Sequence, residues 1–131
     1  MKKFYSIVLM AAALLVGTNA KAAIASVDGV ESTATTLKAV FDQITVDQKI
    51  TGDHTIKLLD NIYDQGTEGV GNFGTTAPIT IYMPNAEDVL TIDLNGKQIS
   101  TTNVKTSFYF WKGNVKVTGS GTIKNEYGGK D

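Results

Sequence analysis

The sequence predicts a mainly β fold, a short solenoid-like stack of strands with one capping α-helix at its N-terminal end. Three observations carry that expectation. Short segments rich in β-branched and aromatic residues, separated by Gly, Asn and Asp, fill the chain from about residue 55 onward. The pattern Leu90, Ile92, Gly96 returns 25 residues later as Val115, Val117, Gly121. A single helical face precedes them all.

The chain opens with "MKKFYSIVLMAAALLVGTNAKAA": Lys2 and Lys3, an apolar run from Phe4 to Val16, then small residues ending in Ala20-Lys21-Ala22. This is the three-part layout of a secretory signal peptide over residues 1–22, too short in its apolar part to span a bilayer. Residues 23–131 are then the mature domain, with a secreted, periplasmic or cell-surface destination. With no cysteine anywhere, neither a lipid-anchored N-terminus nor a disulfide framework is available. Stability must come from packing, an ion or a partner.

Twelve lysines and no arginine face 13 acids, and losing Lys2, Lys3 and Lys21 with the leader moves the net charge from −1 to −4. A mildly acidic chain without arginine is a poor match for nucleic acid or for an anionic membrane surface. No membrane span is expected in the mature form.

In "TTLKAVFDQI", Leu37, Val40, Phe41 and Ile44 fall at i, i+3, i+4 and i+7, which predicts a helix near residues 33–45 with Thr35 or Thr36 as its N-cap. It is either an ordinary helix packed on a sheet or one that covers the end of a stack of strands. Strands are expected at "TIKLL" (55–59), "ITIY" (79–82), "LTIDL" (90–94), "SFYF" (107–110), "VKV" (115–117) and "TIK" (122–124). No further helical pattern lies between them.

Asn95-Gly96 is the strongest short-range turn signal in the chain, yet a two-residue hairpin there sets Leu94 against Lys97 and Leu90 against Thr101. That pairing breaks the apolar face at both ends. The competing expectation is a repeat, in which Leu90 stacks near Val115 and Ile92 near Val117, with Asn95-Gly96 and Gly119-Ser120-Gly121 as corners. A small sandwich or roll remains the other architecture.

The helix "TTLKAVFDQI", then "TIKLLDNI", "LTIDLNGKQIS" and "NVKVTGSGTIKN", resemble the N-terminal portion of secreted bacterial proteins of the right-handed parallel β-helix, pectin-lyase-like family. The resemblance covers about residues 33–125. It implies a right-handed parallel β-helix with a capping helix, and it is silent on activity, because that fold carries lyases, hydrolases, adhesins and structural coils. About three coils follow the helix, fewer than members of the family usually have. The C-terminal end of the stack, near Val115 to Lys124, is therefore expected to be open and to self-associate or to take further coils.

Chemistry-bearing residues are few. "GVGNFG" (69–74) matches G-x-G-x-x-G but precedes a strand, so a surface loop is the better reading than a phosphate cradle. Asp60, Asp64 and Glu68 could gather oxygen ligands for calcium, against a default of a solvated acidic loop. His54 is the only histidine and sits in a turn. In "FYFW", strand alternation puts Phe108 and Phe110 on one face and Tyr109 and Trp111 on the other. With the phenylalanines in the core, Tyr109 and Trp111 form an outward platform of the kind that stacks on sugar rings or partner proteins, unless loop residues cover it. The sequence therefore predicts an exported, non-catalytic structural or binding module, its partner a polysaccharide or a cell-surface protein. A fragment or remnant of a β-helix polysaccharide lyase or hydrolase is the alternative.

Overall fold

Asp28 and Gly29 take positive φ angles of 51° and 88°, the two-residue turn that matches strand twist, and close a hairpin of β1 (Ala25–Val27) and β2 (Val30–Glu31). The computed structural model that shows it describes residues 22–64 and 71–128, so the expected leader lies outside the described residues except for Ala22. The hairpin was not among the strands expected. Its Asp-Gly signal was present in the sequence, but the strands beside it are too short to show alternation.

α1 (Leu37–Asp42) begins at Thr36, whose Oγ1 accepts the N–H of Ala39 at 3.1 Å. It is shorter than the predicted 33–45 because the chain tightens after Asp42. The N–H groups of Gln43, Ile44 and Thr45 each donate to a carbonyl three residues back. Leu37, Val40, Phe41 and Ile44 are nonetheless all buried, as the helical spacing predicts.

The remaining strands form parallel pairs throughout. β3 (His54–Leu58), β6 (Leu90–Asp93) and β9 (Val115–Thr118) lie side by side, with Ile56, Ile92 and Val117 in register and β1 pairing antiparallel on the free edge of β3. β4 (Ile62–Tyr63), β7 (Gln98–Thr101) and β10 (Thr122–Asn125) align Ile62, Ile99 and Ile123. β5 (Ile79–Tyr82) pairs with β8 (Phe108–Lys112). The molecule is mainly β, with one mixed and two parallel sheets.

Leu90 pairs with Val115 and Ile92 with Val117, the partners that the 25-residue spacing predicts. Asn95-Gly96 is accordingly a corner and not a hairpin. Both residues have positive φ, 50° and 78°, and Asn95 Nδ2 donates to the carbonyl of Leu58 at 2.9 Å while the Gly96 N–H donates to Ser120 O at 2.7 Å. The corner thus ties three passes of the chain together. β4 and β7 were missed because β4 has two residues and β7, Gln-Ile-Ser-Thr, carries a single apolar side chain, so neither shows an alternation.

Inward residues of β3, β4, β5, β6 and β7 make most of the strand-borne core. Ile56, Ile62, Ile81, Ile92 and Ile99 are essentially inaccessible, each contributing about 1.5–3 kcal/mol by burial. The last member of each column is not: Val117, Ile123 and Phe110 are 48%, 42% and 50% exposed. The two ends of the strand arrays therefore differ. At the N-terminal end β3 is covered by β1, β4 by Asn72 and Phe73 through Tyr63, and β5 by Ile50, whose N–H donates to Tyr82 O. At the other end, no strand among the described residues pairs with the outer edge of β8, β9 or β10.

Candidate functional site

The segment Phe108 to Trp111 departs from simple alternation. β5 and β8 pair regularly from Ile79–Phe108 to Ile81–Phe110, and then Tyr82 pairs with Lys112, leaving Trp111 as an extra residue. A bulge of this kind re-aims a side chain. The Trp111 ring stacks on Tyr82, with centroids 4.6 Å apart and planes at 29°.

The expected platform of Tyr109 and Trp111 is thus rearranged. Both are exposed, but Trp111 pairs with Tyr82, and Tyr109 stands alongside Thr80. Of the two phenylalanines expected in the core, neither is fully buried. Phe108 is half-buried edge-on against Phe41 and Phe73, while Phe110 is half exposed because it belongs to the uncovered end.

Trp111 forms one wall of a cleft of about 380 Å³ between α1 and β5. Lys38, Asp42, Thr45, Gln48 and Thr80 supply polar groups around it, and Lys38 Nζ is held 2.7 Å from Asp42 Oδ1. A flat aromatic face bordered by donors and acceptors can stack on an apolar ring face while bonding its hydroxyls. A second depression of about 420 Å³ lies over β4 and β7, lined by Tyr63, Gln98 and Ser100. It has no aromatic pair.

The acidic residues serve the backbone. Asp64 is fully buried, and its carboxylate accepts the N–H groups of Thr102 and Asn103, both at 2.8 Å, besides the Thr102 hydroxyl. That engagement corrects its reading as part of a solvated loop: its carboxylate oxygens serve protein donors. Asp60 is exposed and accepts the N–H of Asn61, and Glu68 lies outside the described residues. No cluster of metal-ligating side chains occurs among the described residues. From the other side, Asn125 Nδ2 donates to Val104 O and Ser107 Oγ, so Asp64 and Asn125 clamp the loop 102–107 between them. Neither role was visible in the sequence, because the partners lie 38 and 21 residues away.

His54 is also committed. Its Nδ1 lies 2.7 Å from Asp28 Oδ2 and its Nε2 lies 2.9 Å from Thr51 O. Partial burial works against the charged ring, but the hydrogen bonds to Asp28 and Thr51, with the charges of Asp28 and Asp53, outweigh it and raise its pKa above the ordinary histidine value. In "GVGNFG", Gly69 and Val70 lie outside the described residues, while the carbonyls of Asn72 and Phe73 accept the first N–H groups of α1 from Leu37 and Lys38. These helix donors are filled by the chain itself, and Phe73 is buried in the core rather than lying in a surface loop.

Compared with known proteins, the chain matches no family model, no curated protein and no solved structure.

Proposed function

We propose that the chain is an exported, non-catalytic binding module, built as a short right-handed parallel β-helix with α1 as its N-terminal cap, and that it binds glycans outside the cytoplasm. The architectural part of this reading is supported by three parallel strand sets that recur in one order, β3-β4-β5, β6-β7-β8 and β9-β10, with isoleucine columns in register. The leader-like residues 1–22 support export.

One observation carries the binding function: Trp111, 61% exposed, lies flat on Tyr82 at the edge of the cleft beside α1, whose lining mixes polar and apolar side chains. Exposing a large ring is unfavourable by itself, and a second ring that holds it in one orientation removes the rotamer entropy a ligand otherwise has to overcome.

Trp111 is the only tryptophan, so emission excited at the red edge of the absorption band, where tyrosine does not absorb, reports on this site alone. Titrating residues 23–131 with soluble polysaccharides is expected to give a saturable emission change. Tyr82→Ala should weaken it at least tenfold, and Trp111→Ala should abolish the heat of binding in calorimetry. A panel of neutral and acidic polysaccharides that leaves emission unchanged would overturn the glycan reading.

A further inference from the structure

We infer that the uncovered end of the molecule is a docking edge for an extended protein segment whose inward residues are apolar and whose outward residues are acidic, running beside β9 and, after a bend, beside β10. Two independent features of that end define the occupant. The first is the half-exposed row of Phe110, Val117 and Ile123, each continuing a column that is buried in the preceding strand. With the outer edges of β9 and β10 unpaired among the described residues, a segment laid there would gain backbone hydrogen bonds and burial of this row together.

The second feature is charge. Each of the three end strands carries one exposed lysine, Lys112 on β8, Lys116 on β9 and Lys124 on β10, and none carries an acid. Lys116 follows inward Val115 and Lys124 follows inward Ile123, so both project outward. Outward neighbours on adjacent strands sit about 4.5–5.5 Å apart at Cβ, where opposite charges attract and like charges repel. The fold already sets one such pair side by side, Lys57 beside Asp93 in β3 and β6. Lys124 has a loose contact of 3.6 Å with Glu126, and Lys112 and Lys116 form no ion pair among the described residues. Two copies meeting edge to edge would bring together two sets of strands that carry lysine and no acid. An acidic partner strand avoids that repulsion.

The test uses two synthetic strand-length peptides, one alternating valine with glutamate and one alternating valine with lysine, against residues 23–131. Backbone amide exchange is read by NMR. The valine–glutamate peptide is expected to slow exchange in β9 and β10, leave β3 unchanged, and bind at least tenfold more tightly than the lysine peptide. The triple variant Lys112→Glu, Lys116→Glu, Lys124→Glu changes only exposed side chains and should reverse that preference. Val117→Asp with Ile123→Asp should lose both peptides while the β3 amides stay protected. Equal binding of the two peptides, no binding by a folded protein, or a free chain that already sediments as a dimer with β9 protected would each overturn the proposal, the last by assigning the edge to a second copy.

Discussion

Asp28 Oδ2 and His54 Nδ1 lie 2.7 Å apart, joining the β1–β2 turn to the start of β3, while the other His54 nitrogen faces the carbonyl of Thr51. A carboxylate and a carbonyl are both acceptors, so only the doubly protonated ring donates to both. The raised pKa of His54 follows from that arrangement.

The consequence is a pH dependence of known sign. A group whose pKa is higher folded than unfolded binds protons more tightly in the native state, so its contribution is complete below about pH 6.5, the unfolded value. It is lost as pH rises through the higher folded value. Urea midpoints are therefore expected to fall between pH 6 and pH 8, and His54→Gln should flatten that slope. As the chain has one histidine, a slope that persists in the variant would assign the effect elsewhere.

Asp64→Ala should destabilise by about 3 kcal/mol or more, because it strands the N–H groups of Thr102 and Asn103. Asp64→Asn keeps one acceptor oxygen and should cost less. Chemical denaturation measures both. The wild-type melting temperature is expected to be the same in calcium and in chelator, since these carboxylate oxygens serve protein donors.

Ile92 is 1% exposed in the middle of its column, and Thr91 beside it points outward. Ile92→Asp is expected to cost about 4 kcal/mol or more, through the lost burial and an unpaired carboxylate. Thr91→Asp should stay within about 1 kcal/mol. Similar denaturation midpoints for the two variants would mean that the inward and outward faces are misassigned.

At Gly121, φ is +137°, and a Cβ there would collide with the carbonyl oxygen of Lys97 and approach Leu94 Cβ to 2.9 Å. Gly121→Ala should therefore lower stability by about 2 kcal/mol or more and loosen the corner between β9 and β10. Gly29→Ala has open space around its Cβ and meets only the backbone penalty of its φ of +88°. The thermal midpoint should fall further for the first variant than for the second.

Export predicts that the mature chain begins at or near Ala23, after the small residues Ala20 to Ala22. Intact-mass measurement of the protein recovered outside the cytoplasm checks it, and a retained Met1 contradicts it.

The column through Leu90 and Ile92 was legible in the sequence because side-chain direction along a strand follows from the neighbouring residues alone. Alternation placed Ile92 inward and Thr91 outward, the 25-residue period paired Leu90 with Val115, and the 3.6-residue period put Leu37, Val40 and Phe41 on one buried face. Tertiary structure decided what depends on partners far along the chain. Trp111 turns onto Tyr82 only because β8 carries one more residue than β5 can pair, and no local pattern records that mismatch. Asp64 is buried only because the Thr102 and Asn103 N–H groups arrive to replace its water. Ile99 and Ile123 occupy like positions in like strands, yet one is buried and the other 42% exposed, since burial is set by whether a further layer lies beyond and not by the residue itself.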